Sequence, residues 1–126
     1  MIRATWEGLA CSDNDRTIPG ATGRAWRPNP LYKQFKESMG WAIRVQINRS
    51  FTWLASTLIS RIAITLRVDL PPRMDTTAVI KAACDAVELS GAISNDSQVD
   101  KLTIERVGRS PRGNSRIDFE IEEITP

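Results

Sequence analysis

Asp75, Lys81 and Asp96 are the residues of this chain whose types and spacing suit chemistry. They lie between Leu70 and Val99, a stretch that opens on Pro71-Pro72-Arg73 and continues as an apolar-striped helix carrying Lys81. Gly91 stops that helix, and a second acidic segment follows it. Two carboxylates and a lysine read as a metal and phosphate site, and hence as an enzyme acting on nucleic acid. The chain has no histidine, which excludes His-based acid/base catalysis, Ser-His-Asp triads and His-ligated zinc. Asp75, Lys81 and Asp96 are too far apart in sequence to meet unless a fold gathers them.

The elements that must gather them are legible as hydrophobic periodicity. Arg61–Asp69 is the clearest strand, with Ile62, Ile64, Leu66 and Val68 alternating against Arg61, Ala63, Thr65, Arg67 and Asp69. Pro71 and Pro72 end it, since neither can donate to a ladder. A helix then runs from Asp75 to about Ser90, with Ile80, Ala83, Val87 and Cys84 on its buried side. Lys81, Asp85 and Glu88 fall on the opposite side. Upstream, a helix over about 31–47 is striped by Leu31, Phe35, Met39, Ala42, Ile43 and Gln46. Residues 1–10 read as a first strand, and Cys11 to Pro30 as turns within which Gly23–Arg27 forms a strand or hairpin arm. Lys101–Val107 and Arg116–Ile124 read as two closing strands. The order is β-β-α-β-α-β-β, an α+β fold in which a small mixed sheet carries packed helices.

A length of 126 residues sets one domain, residues 1–126, with a single core. No apolar run approaches the roughly 20 residues of a membrane span, and the start lacks a secretory signal pattern. Cys11 and Cys84 stand alone without metal spacing, which suits reduced thiols in a cytoplasmic protein. Residues 1–73 hold eleven Lys and Arg against five Asp and Glu, while residues 74–126 hold six against ten. A basic first half suits a polyanion, and an acidic second half suits a cation.

Each candidate also has an ordinary structural explanation. Asp75 is a residue that a helix dipole would stabilise, Asp96 a turn aspartate, and Asp85 an ion-pair partner for Lys81 one helical turn away, worth about 0.3–0.5 kcal/mol. Arg24 and Arg27 flank Trp26 and suit phosphates beside a stacked base, or else are solvated while Trp26 covers the core, the favoured reading for the tryptophan. Arg109 and Arg112 sit on a glycine- and proline-marked turn suited to a phosphate backbone, where arginines are commonly only solvated. Phe51–Ile59 is an apolar segment that either completes the core or is buried between subunits.

The segment Pro72–Val99 resembles the RusA family of Holliday junction resolvases, small phage-associated endonucleases. The family centre reads Asp-x-Asp-Asn-x-x-Lys at the opening of a helix, then a helical aspartate, a glycine and Asp-Asp-x-Gln-[Val/Ile]. Asp75 matches the first aspartate and Lys81 the lysine at the same separation. Lys81–Val87 follows the family helix, including Asp85, and Asp96-Ser97-Gln98-Val99 matches the second acidic segment. Thr77 stands where the family has its second aspartate, Ala78 where it has asparagine, and Asn95 where it has the first aspartate of the later pair.

The resemblance implies Mg²⁺ (or Mn²⁺) held by Asp75, Asp96 and Asp85, with Asp75, Lys81 and Asp96 as catalytic residues. It implies a homodimer that cuts four-way DNA junctions during recombination and repair. Arg24, Arg27, Arg73, Lys81, Arg109 and Arg112 are the expected DNA contacts. With Thr77 replacing a carboxylate, weaker metal binding and reduced cleavage are expected unless Asp85 or Asp69 compensates. The alternatives are a non-catalytic branched-DNA binder on the same fold, and a protein-interaction domain that works through Phe51–Ile59.

Overall fold

In the computed structural model, which describes residues 1–20, 26–50, 52–53, 59–111 and 113–124, the clearest strand of the sequence lies inside the sheet. This strand, β4 (Ile62–Asp69), has β5 (Val99–Gly108) on one side and β6 (Ser115–Glu123) on the other, with β1 (Ile2–Gly8) at the far edge. The β4–β5 pair is parallel and the other two pairs are antiparallel. A parallel neighbour cannot be reached by a hairpin, so the chain crosses over through helix α2 (Ile80–Leu89). That crossover holds the Asp75–Asp96 region, with Asp75 beyond the end of β4, Lys81 on α2 and Asp96 on the turn beside the start of β4.

Register explains the core. Ile2, Ile121 and Ile64 form one cross-strand row; Ala4, Phe119 and Leu66 form the next; Trp6, Ile117 and Val68 form the third. All nine are buried on the face covered by α2 and by α1 (Pro30–Asn48). Alternation fixes this register, because a slip of one residue would turn every apolar side chain to solvent. Asn29 caps α1 by accepting from Leu31 N at 3.0 Å, and Pro30 stands in its first turn. Trp6 locks α1 to the sheet through an edge contact with Phe35 (centroids 4.8 Å apart) and a bond from its indole N–H to Ser38 Oγ at 2.8 Å.

The other face of the sheet carries charge. Arg67 bridges Glu120 at 2.8 Å and Glu105 at 3.7 Å, while Arg116 bridges Asp118 at 3.1 Å and Glu7 at 3.8 Å. Much of the acidic excess after residue 73 is therefore matched to arginines of this ladder rather than gathered for a cation.

Several expectations shift. Within the α1 stripe Leu31 is half exposed, and Tyr32 takes the buried place. The helix expected from Asp75 begins only at Ile80, with turns over Thr76–Val79. Ahead of α1 stand a 3₁₀ turn (Asp13–Asp15) and a ribbon of β2 (Thr17–Pro19) and β3 (Trp26–Pro28), so three strands precede that helix rather than two. Trp26 does not cover the core: it is 72% exposed, because a two-stranded ribbon leaves its outer face uncovered. Of the Phe51–Ile59 segment, Phe51 and residues 54–58 lie outside the described residues. Trp53 is buried with its indole N–H donating to Ala92 O at 3.2 Å, whereas Ile59 is exposed.

Candidate active site

The loop after β4 is fastened before it reaches Asp75. Arg106 reaches across from β5 and donates to four carbonyls: Leu70 (3.0 Å), Pro71 (2.8 Å), Met74 (2.6 Å) and Gly108 (3.2 Å). A planar guanidinium with five donors can serve several acceptors of one turn at once, which a lysine cannot. Asp69 closes the same corner by accepting from Ser110 N at 2.8 Å and Ser110 Oγ at 2.7 Å. A Cβ at position 108 would stand 2.8 Å from the Asp69 carboxyl carbon, so a larger residue here would push that carboxylate off Ser110. Asp69 is thereby committed to holding the β5–β6 loop, which removes it as a stand-in for the carboxylate missing at Thr77.

Asp75 follows that fastened corner, exposed, with its carbonyl accepting from Ala78 N at 3.0 Å. Asp75, Thr77 and Arg73 line a cleft of about 1140 Å³ that the 3₁₀ turn Asp13-Asn14-Asp15 also lines. Trp6 and Phe35 contribute apolar surface to it. Among the described residues, the side chains of Asp75, Lys81 and Asp96 make no hydrogen bond or ion pair, so each is free to meet a ligand.

Asp96 sits exposed on a short 3₁₀ turn (Asp96–Gln98) held by reciprocal capping. Asn95 Oδ1 accepts from Ser97 N at 2.9 Å, and Gln98 Oε1 accepts from Asn95 N at 3.1 Å. Gln98 is buried, and its amide donates to Ser60 O at 2.9 Å, tying the turn to the start of β4. The Asn and Gln of this acidic segment thus serve geometry and leave Asp96 as its projecting charge.

α2 begins with no local cap, and Asp13 supplies one from far upstream by accepting from Lys81 N at 2.9 Å and Ala82 N at 3.1 Å. Tyr32 also donates its hydroxyl to Asp13 at 3.0 Å. Burial first, then the Asp13 charge and that hydrogen bond, push the Tyr32 hydroxyl well above the ordinary tyrosine range. Lys36 lies 5.3 Å from the centre of the Tyr32 ring and 3.7 Å from the Asp85 carboxylate. Asp85 therefore pairs with α1 across the helix joint rather than with Lys81 along its own helix. Cys84 is raised chiefly by burial, then by Asp85, Asp13 and Asp96, with Lys81 opposing. These charges gather around the first turns of α2, whereas Asp75 faces the cleft; Asp13 belongs to both places.

Among the described residues, no group of three or more Cys, Asp or Glu stands close enough to hold a metal ion. Asp75 lines the cleft, whereas Lys81 and Asp96 are not among its lining residues, so the three are not gathered into one pocket. Of the expected DNA contacts, Arg27, Arg73, Lys81 and Arg109 are exposed. Arg27 pairs in register with Ile18, a residue of the cleft, and Arg109 stands just beyond β5. Arg24 and Arg112 lie outside the described residues. Asp13 escapes a sequence reading because Ser-Asp-Asn-Asp looks like turn chemistry, and nothing local names its partner sixty-eight positions away.

No helix among the described residues is long and apolar enough to cross a membrane. The family model for endodeoxyribonuclease RusA matches residues 12–122, a span that includes Asp13, Asp75, Lys81 and Asp96. No curated protein matches the chain with significant similarity.

Proposed function

The chain belongs to the RusA endodeoxyribonuclease family, and on that premise we propose that it is a magnesium-dependent, structure-selective nuclease that resolves four-way DNA junctions in recombination and repair. The observation that carries this reading is Asp75, unpartnered in a cleft and standing at the entry to the helix of Lys81. By the family resemblance Asp75 and Asp96 are the carboxylates assigned to Mg²⁺ (or Mn²⁺); Asp75 lines the cleft beyond the end of β4, Asp96 stands on the turn at its start, and Asp85 is held by Lys36. Such an ion would lower the pKa of the attacking water and neutralise charge on the scissile phosphate. Lys81 presents a mobile point charge beside that phosphate and stabilises the negative charge it gains in the transition state. Arg73 at the cleft and Arg27 and Arg109 beyond it hold backbone phosphates and orient the strand, which costs no chemistry but fixes the approach. Two symmetric cuts need two sites, so the acting unit is a two-fold homodimer.

The test is nicking of a synthetic four-way junction with Mg²⁺ or Mn²⁺, wild type against Asp75→Asn. Cleavage that depends on metal and falls at least 100-fold in the variant is expected, in line with loss of a metal-positioning carboxylate. Equal rates for the two proteins would remove Asp75 from the reaction.

Thr77 favours a second reading. With a neutral hydroxyl in the cleft and no group of three carboxylates among the described residues, the chain also suits a branched-DNA binder that does not cut. That reading expects junction binding indifferent to metal and steeply weakened by salt, because Lys and Arg contacts to phosphate release counterions.

A further inference from the structure

The helix that carries Lys81 does not fix its own start. Val79 occupies the N-cap position without a side-chain bond, and the first turn holds no acidic residue. The segment before it is tied within itself by two turn bonds, Ala78 N to Asp75 O at 3.0 Å and the longer Ile80 N to Thr77 O at 3.3 Å. Asp13 completes this incomplete end. Its two carboxylate oxygens divide between Lys81 N and Ala82 N, and its own N–H donates to Ala78 O at 2.7 Å. Three bonds therefore clamp residues 78–82 from one side chain and one amide, and the same residue lines the cleft together with Asp75.

We propose that Asp13 is a positioning residue for the nuclease reaction: it sets the first turn of α2 against the cleft and so fixes the base from which the Lys81 ammonium reaches the phosphate. This inference rests on the role given to Lys81 above. A carboxylate on two helix-start amides satisfies two of the four donors such an end leaves open, and it meets the positive end of the helix dipole. Lys81 is only the second residue of the helix, so fraying of that turn displaces the side chain directly. Displacements of about 1 Å can cost around 100-fold in rate. Tyr32 donates to the same carboxylate oxygen that accepts from Ala82 N, so Asp13 cannot swing away without breaking a part-buried bond as well.

The experiment measures single-turnover junction cleavage with Mn²⁺ by the full chain, in wild type and in the Thr77→Asp background. Asp13→Ala is expected to lower the saturating rate about 10- to 100-fold while junction Kd stays within about two-fold. Asp13→Asn keeps one acceptor oxygen but turns a donor N–H₂ toward the second amide, so it restores only part of the rate. Ile64→Val, a core change remote from the cleft, serves as the stability control and leaves the rate near wild type. In Lys81→Ala, adding Asp13→Ala produces no further loss. A rate loss no larger than in a core variant of equal Tm, or one additive with Lys81→Ala, overturns the inference while the nuclease reading stands. Junctions left intact by both wild type and Thr77→Asp overturn the nuclease reading itself. Hydrogen exchange at the Lys81 and Ala82 amides then decides the clamp alone: faster exchange in Asp13→Ala upholds it, and unchanged exchange removes it.

Discussion

Arg106 donates from its guanidinium to the carbonyl of Met74 at 2.6 Å, and Met74 is the residue directly before Asp75. The position of the candidate ligand in the cleft therefore depends on a side chain projected from the neighbouring strand. With Leu70 and Pro71 O also bound, the corner has three of its carbonyls satisfied by one group.

Replacing Arg106 by Met leaves the Leu70 and Met74 carbonyls to find water or remain unpaired, while Pro71 O keeps its bond from Met74 N at 3.0 Å. Hydrogen bonds to a charged group contribute about 1.5–3 kcal/mol, and an unsatisfied buried acceptor costs a similar amount, so a loss of about 2–3 kcal/mol is expected. Arg106→Lys should recover only part of it, since an ammonium cannot span the fan of acceptors. Urea denaturation checks both. An Arg106→Met protein with an unchanged midpoint would show that the fan contributes nothing to stability.

Thr77→Asp should tighten Mn²⁺ binding and raise junction cleavage. Thr77 is exposed and lines the same cleft as Asp75, so an added carboxylate enters solvent-accessible space without displacing the core. One more hard-oxygen ligand converts a site of one or two carboxylates into a fuller one. Isothermal titration with Mn²⁺ should show at least a 10-fold lower Kd, about 1.4 kcal/mol. If the variant binds metal no better than wild type, Thr77 does not occupy a ligand position.

How much of this was readable from residues alone follows from how far each signal travels along the chain. β4 is found because its alternation is complete within eight residues, and its burial on one face follows from the same pattern. The start of α2 is misplaced by five residues because apolar spacing extends back through Val79 while the capping group is Asp13, which no local rule connects to it. Trp26 is misjudged for the opposite reason: a large aromatic is usually covered, but a two-stranded ribbon offers nothing to cover its outer side. Asp69 and Asp118 look like free carboxylates in sequence, and each is taken by a partner on another segment, Ser110 in one case and Arg116 with Thr5 in the other. Asp75, Lys81 and Asp96 share the feature that no such partner among the described residues claims them, and that is a property of the fold rather than of their neighbours in sequence.

Alkali should weaken the protein through Tyr32. Burial, the Asp13 charge and the bond to Asp13 hold its hydroxyl above the ordinary value, with Asp85 adding to the effect and Arg16 opposing it. An unfolded chain releases this proton near pH 10, while the folded one retains it. The folded state then binds more protons, so the stabilisation is complete below about pH 10 and is lost as pH rises further, by up to about 1.4 kcal/mol per pH unit. Cys84 titrates in the same sense from a lower pH, so the measurement belongs in a Cys84→Ala background. Denaturant midpoints between pH 9 and 11.5 should fall steeply with Tyr32 present and flatten in Tyr32→Phe. Parallel curves would place the alkaline transition elsewhere.

Junction binding should be strongly salt-dependent, with separable contributions from exposed arginines. Arg73 lines the cleft beside Asp75, and Arg27 stands on the β2–β3 ribbon opposite Ile18, so both lie where a strand entering the cleft would carry its phosphates. The cleft itself is acidic, with Glu7, Asp13, Asp15 and Asp75 against Arg73 alone, so its field repels DNA unless flanking cations hold the backbone. Each phosphate contact contributes about 0.9 to the slope of log K against log salt. Arg73→Ala and Arg27→Ala are each expected to reduce that slope by about one and to weaken binding to every junction sequence alike. Their double substitution should reduce it by about two, because the side chains occupy different elements and share no partner. Fluorescence titrations of a labelled four-way junction at a series of salt concentrations read the slope directly. A slope untouched by either substitution would take the DNA path off these two residues and leave Arg109, next to the Asp69–Ser110 corner, as the cation to test.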